Sequence, residues 1–395
     1  MGSTRMRVVA SLGVAQTLAW ASSYYLPALL ARPTARELGV AEPTVFAAFS
    51  AALVVSALVG PHSGRRIDRW GGRPVLMATS CLFALGLAAM ALASGPVSLF
   101  AAWLVMGAAM GSGLYEAAFA SLVRLYGHEA RGAITGITLI AGFASTVGWP
   151  LTAALEHIWG WRGACWAWAA LHLVVGLPLN AWLPRAGAAA EPARSELPPP
   201  RADAPPPLRT AALLAWVFAV TWFVSTAMAA HLPRLLDALG AAPGAAVAIG
   251  ALVGPAQVAG RLLEFGVLRR LHPLHSARAA ALMHPLGAAL LALLGAPAAA
   301  AFALLHGAGN GILTIAKGTL PLALFGAAGY GQRQGLLVMP ARLAQALAPW
   351  LFGLLLVRFG AAALWCSAAL SLSALAALAF IRVGGRHADA PPAAA

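Results

Sequence analysis

The stretch GRRIDRWGGRPVL, Gly64 to Leu76, packs four arginines and an aspartate between two nearly chargeless runs, Pro43–Gly60 and Val75–Ala93. An apolar run of roughly 20 residues, coiled as a helix with a ~1.5 Å rise per residue, spans a ~30 Å hydrocarbon layer. A short charged island between two such runs therefore reads as an aqueous turn between membrane-crossing helices. Composition extends that reading to the whole chain. With 61% hydrophobic and only 10% charged residues, and a mean hydropathy of +0.79, these side chains cannot all be spread over a water-facing surface.

Walking outward from the island predicts twelve spans and an all-α integral membrane protein. The first six run Val8–Leu30, Pro43–Gly60, Val75–Ala93, Val97–Leu122, Ala133–Leu155 and Cys165–Leu183. The second six run Ala211–Ala230, Ala245–Val267, Ala279–Leu294, Ala298–Phe325, Gly335–Val357 and Ala361–Ile381. Residues 184–210 between them are rich in proline and polar groups and read as a linker. The expected organisation is a six-helix bundle over 1–183, the linker, a second six-helix bundle over 211–382, and a tail over 383–395.

Arginine placement predicts the orientation. Segments on the side of the charged island carry 18 arginines, whereas the opposite loops carry only Arg32, Arg36, Arg162, Arg234 and Arg358. Positive residues stay inside, so the island and both termini are expected in the cytoplasm. The net charge of +14 is then a topological bias facing anionic lipid and calls for no nucleic acid. The apolar run after the basic N-terminus is too long for a signal sequence and is kept as the first span. Cys81, Cys165 and Cys366 fall inside spans and read as packing residues; no metal or cofactor is expected. Arginine in place of nearly all lysine and the absence of Asn-x-Ser/Thr suit a bacterial inner membrane.

Within the island, Gly64, Asp68, Arg69, Gly71 and Arg73 match the pattern Gly-x-x-x-Asp-Arg-x-Gly-x-Arg. This resembles the loop signature of the major facilitator superfamily, and GWRGA, Gly160–Ala164, resembles that family's entry to its sixth helix. The resemblance implies two six-helix bundles around a cavity that opens alternately to each side, with a small solute bound near the midplane. It also implies that Asp68 meets the eleventh helix and acts as a gate. From the residues themselves, Gly64 and Gly71 are expected to permit a tight loop.

Three cations remain inside spans: Arg261, Lys317 (the single lysine of the chain) and Arg342. Charge in hydrocarbon costs several kcal/mol unless it faces water or a partner, so these are the leading substrate-binding candidates. Arg261, in GPAQVAGRLLEFG, resembles the eighth-helix arginine that meets the substrate carboxylate in the monocarboxylate transporter and oxalate/formate antiporter branch. Where the former carry Asp four residues earlier, this chain has Gln257. The alternative for Arg261 is a pair with Glu264 one turn away. Lys317 and Arg342 are expected to converge with Arg261 on one anion site; the alternative is snorkelling to the membrane edge for Lys317, and snorkelling or gate pairing for Arg342. Tyr24, Tyr25 and Asn310 are further substrate-binding candidates, with His284 and His306 behind them. Glu116 and Glu264 are candidates for coupling to a proton; the alternative for Glu116 is a gate pair with Arg124 or the island arginines.

Two departures bear on function. Trp103 stands where many proton-coupled family members carry an arginine on the fourth helix, and the Gly-Pro-x-x-Gly-Gly signature of antiporters is missing from the fifth span. Together with the three cations, this favours a monomeric secondary transporter of a small monocarboxylate-like anion over an exporter of drugs or other amphipathic compounds. His-Glu-x-x-His, Gly-x-Ser-x-Gly and Gly-x-x-x-x-Gly-Lys-[Ser/Thr] are all absent, so no enzyme is expected.

Overall fold

The computed structural model describes residues 3–185, 208–241 and 248–381. The proline-rich segment and the tail therefore lie almost wholly outside the described residues. Among those described there are helices and turns but no strand. Seven apolar helical stretches are long enough to cross a membrane, and two of them, Pro96–Ala181 and Tyr330–Phe380, are subdivided by breaks into several helices. The protein is a multi-pass membrane protein with two hydrophobic cores. One is built mainly from residues before Pro184 and the other from residues after Leu208.

In the first half, α1 (Ser3–Ala21) and α2 (Pro27–Leu38) are joined by a turn, followed by α3 (Glu42–Trp70) and α4 (Gly72–Ala91). The charged island is not a loop. Helix α3 continues through Arg65, Arg66, Asp68 and Arg69, and only Gly71, at φ 81°, reverses the chain before α4 begins. That positive φ is cheap for glycine alone. Gly64 serves a different need: it lies mid-helix, where a Cβ would overlap the Gly331 carbonyl of the second half.

Helices α5 (Pro96–Gly113) and α6 (Tyr115–Tyr126) are one expected span interrupted at Leu114, whose backbone is extended. The break orphans carbonyls that side chains then satisfy. Gln16 Nε2 donates to Gly113 O at 2.6 Å and Thr79 Oγ1 to Ser112 O at 3.2 Å. α7 (Ala130–Ala141) and α8 (Ala144–Leu171) follow, the latter broken at Gly160 (φ 69°), where one helix gives way to the next a few residues past the expected end of a span at Leu155. α9 (Leu177–Ala181) closes this half.

The second half comprises α10 (Leu208–Ala238), α11 (Val253–Gly266), α12 (Pro273–Leu294), α13 (Ala299–Phe325), α14 (Tyr330–Phe359) and α15 (Ala363–Phe380). The same close helix crossing appears in both halves. Gly107 and Gly111 of α5 press on the backbone of Ala52 and Ser56 in α3, and Gly307 and Gly311 of α13 press on Val253 and Gln257 in α11. Small residues four apart let two helices approach to backbone contact, which is how helices adhere where lipid removes the hydrophobic drive between them.

The halves are clamped at the arginine-rich end. Asp68 accepts hydrogen bonds from Gly331 N (2.8 Å) and Gln332 N (2.9 Å) in the first turn of α14, a carboxylate on a helix N-terminus. Arg131 at the start of α7 donates to Glu264 Oε1 (2.9 Å) and to Leu271 O (2.7 Å) just past α11. Toward the opposite end, no hydrogen bond joins α2 to the second half among the described residues, and the bonds of Arg162 to Glu37 and Ala91 stay within the first half.

Candidate functional site

The break at Leu114 puts Glu116 in the first turn of α6, where free backbone N–H groups favour a carboxylate. Its two oxygens are shared by two cations of the other half. Lys317 Nζ lies 2.6 Å from Oε1 and Arg342 Nη2 lies 3.0 Å from Oε2. Lys317 is 2% exposed and Arg342 3%, so neither snorkels. Glu116 thus pairs across the seam between halves, not with Arg124 or the island arginines. Removing one member of such a buried pair leaves an uncompensated charge, at a cost of about 3–5 kcal/mol.

Local sequence explains how these groups meet. Gly318, next to Lys317, lets Phe119 of α6 lie against α13; a Cβ there would overlap the ring. Gln334 Nε2 donates to Lys317 O at 3.0 Å and Tyr330 Oη to Gly318 O at 2.7 Å, fixing the backbone around the lysine. Arg342 Nη1 donates to Gln345 Oε1 one turn on (3.0 Å), and Gln345 Nε2 donates to Tyr24 Oη (2.9 Å), itself 3.4 Å from Thr226 Oγ1. Trp222 lies beneath both cations, its ring centre 4.3 Å from Lys317 Nζ and 5.0 Å from the Arg342 guanidinium. Trp20 stacks on Trp222 across the seam at 6.2 Å, and Tyr115 packs on Trp20 at 4.9 Å. The result is an aromatic wall around a buried cluster with one more positive than negative charge.

Arg261 does not join this cluster through any hydrogen bond or ion pair among the described residues. It is 6% exposed, and its single hydrogen bond runs from Nη1 to Thr138 O at 3.4 Å, at the α7 end near Gly142. Its Nε is buried without a partner among the described residues. The expected alternative, a pair with Glu264, is not formed, because Glu264 is turned to Arg131. Asn310 donates to Ser225 Oγ at 2.9 Å, and Tyr25 packs edge-on against Tyr24 and Trp149. His284 and His306 share an Nδ1 to Nδ1 contact of 2.9 Å inside the second half. Arg69 and Arg73 make no hydrogen bond or ion pair among the described residues, whereas Gly64 and Asp68 sit directly on α14.

Sequence reasoning missed Gln345, Trp222 and Arg131. Gln345 was legible as a polar residue three positions after Arg342 on one helix face. Trp222 stands mid-span, away from the interfaces where tryptophan ordinarily collects. Arg131 is counted among the loop arginines, and nothing in the sequence marks it as crossing to the other half.

Known proteins resemble this chain in sequence and in fold. A 3-(3-hydroxy-phenyl)propionate transporter of Escherichia coli K12 is 29% identical over 238 residues, 58% of this chain and 56% of its own. The chain spans about half the length of the curated relatives it matches. Among solved structures, the human organic anion transporter MFSD10 has a TM-score of 0.72 at 18% identity, covering 95% of this chain and 99% of its own. The transporter FucP in its outward conformation has a TM-score of 0.75 at 14% identity, with 95% and 99% covered. At those identities the likeness is one of fold. A model of the Major Facilitator Superfamily matches residues 12–316, more than half of the chain, and so this protein belongs to that superfamily.

Proposed function

We propose that the protein is a secondary carrier for a small monocarboxylate-like anion, working by alternating access. The observation that carries this reading is an imbalance of buried charge. Arg261, Lys317 and Arg342 are all buried, yet among the described residues only Glu116 opposes them, since Glu264 is held by Arg131. A charge in hydrocarbon requires a partner, and an anionic solute supplies the missing one. Arg261 is the anchor, because a planar guanidinium with open donors grips a carboxylate at two points. The wall of Trp20, Trp222 and Tyr115 suits an apolar or aromatic tail, and a relative that transports an aromatic propionate supports the same class.

Glu116 is the coupling group in this reading. Ionised, it occupies Lys317 and Arg342; protonated, it releases both to an incoming carboxylate. The carrier acts as a monomer in the inner membrane, with twelve spans, two moving bodies over 1–183 and 211–382, and both termini cytoplasmic. The clamp at the arginine-rich end then makes this the outward-facing state, with Asp68 as its gate residue. An exporter of cationic drugs is disfavoured because Glu116 is already engaged by two cations.

The test is thermal unfolding of the purified protein with 3-phenylpropionate, benzoate, phosphate and a cationic drug. A ligand at ~100 times its Kd stabilises by about 2.7 kcal/mol. Carboxylates should raise Tm in the wild type, and Arg261→Ala and Lys317→Ala should lose that response. Stabilisation by the cation alone would overturn the reading in favour of drug export.

A further inference from the structure

Helix α11 carries Arg261 and Glu264 three residues apart, a spacing at which unlike charges on a helix ordinarily pair. Both are buried, at 6% and 2% exposure, and they remain unpaired with each other. Glu264 gives Oε1 to Arg131 of the other half, while its Oε2 stays buried without a partner among the described residues, as does Arg261 Nε. Arg131 also donates to Leu271 O and, at 3.4 Å, to Leu268 O, so it grips the end of α11 through three acceptors. Its hold on α11 depends on the arginine-rich end being closed.

We propose that Glu264 is a switching residue that ejects the anion from Arg261 when that end opens. This rests on the reading of Arg261 as the substrate anchor. When the halves part, Arg131 withdraws with α7. The Glu264 carboxylate then loses its counter-charge, and Arg261 is a cation one turn away on the same helix. Glu264 turns to it and competes with the bound carboxylate. When the end closes again, Arg131 recaptures Glu264 and Arg261 is restored as an anchor. Anion occupancy and the Arg131–Glu264 tether are thereby linked, each favouring the other. Glu264 acts through Arg261 and need not touch the solute.

The swap predicts opposite signs where a plain tether predicts one. In full-length protein in nanodiscs with 3-phenylpropionate as the probe, Arg131→Ala should weaken binding about tenfold, because Glu264 is free to occupy Arg261. Glu264→Gln should bind as tightly as wild type or tighter, and the double variant Arg131→Ala/Glu264→Gln should recover binding. Without ligand, phenylglyoxal labelling of Arg261, followed by peptide mass spectrometry, should fall in Arg131→Ala and return in the double variant. Equal weakening by both single variants, with no recovery in the double, overturns the swap while leaving Arg261-dependent binding intact. A wild type and an Arg261→Ala variant that both ignore the probe overturn the carboxylate reading and the ejection role with it.

Discussion

The two halves of the molecule share a scaffold and differ in charge. Each crosses two helices through glycines four residues apart, α5 on α3 and α13 on α11. Yet the interior of the second half holds Arg261, Lys317 and Arg342, and the first half answers with Glu116 and an aromatic face. With the halves together, Lys317 and Arg342 take their counter-charge from Glu116 across the seam. Separation of the halves therefore has an electrostatic cost, and that cost depends on protonation and on any anion present. A carrier whose charges were balanced within each half would lack this dependence.

The molecule is most sensitive at the seam itself. Gly64→Val places a side chain against the Gly331 backbone, and Gly331→Val does the same against Gly64. Either variant should prevent closure of the arginine-rich end and reduce transport in proteoliposomes to near background, while the mirrored crossing at Gly107 stays intact. Next in size is Glu116→Gln. It leaves two buried cations unopposed, so the purified protein should lose about 3–5 kcal/mol of stability, recovered in part by carboxylate but not by sodium. Full stability in this variant would mean that the cations find partners in their own half.

Asp68→Asn tests whether the clamp is one of charge or of shape. The side chain remains able to accept one hydrogen bond but loses the charge-assisted pair to Gly331 and Gln332, worth about 1.5–3 kcal/mol. Cysteine-labelling rates at the arginine-rich end should rise. The smallest expected effect lies at the opposite end, where Glu37 receives hydrogen bonds from Arg162 Nε (2.7 Å) and Trp161 Nε1 (2.6 Å). The Arg162 bond, then the Trp161 bond, hold its carboxyl below its ordinary range. A lowered folded value stabilises above the unfolded value and stops doing so as pH falls through the folded one. The Tm difference between wild type and Glu37→Gln should accordingly be present at neutral pH and shrink in acid. Because Glu37 is half exposed, salt should shrink it too.

Much of this molecule was legible along the chain. Hydropathy runs, arginine placement and the Gly64–Arg73 pattern report properties that neighbouring residues share, and so they identified a membrane-spanning member of this superfamily. The same signals misjudged the island, which is helix as far as Trp70, because charged residues are compatible with either a loop or the emerging end of a helix.

The sequence by itself also named the residues that had to be explained: three cations in hydrocarbon cannot be neutral features of any fold. Tertiary structure alone decided their partners. Glu116 lies 201 positions from Lys317 and 226 from Arg342, and Arg131 lies 133 from Glu264. Glu264, by contrast, bypasses the arginine one turn away on its own helix. Local spacing says which charges could meet. Which ones do is set by the backbone approach of the two halves at Gly64 and Gly331, by the packing of Phe119 on Gly318, and by the desolvation that makes every buried charge take the best partner within reach.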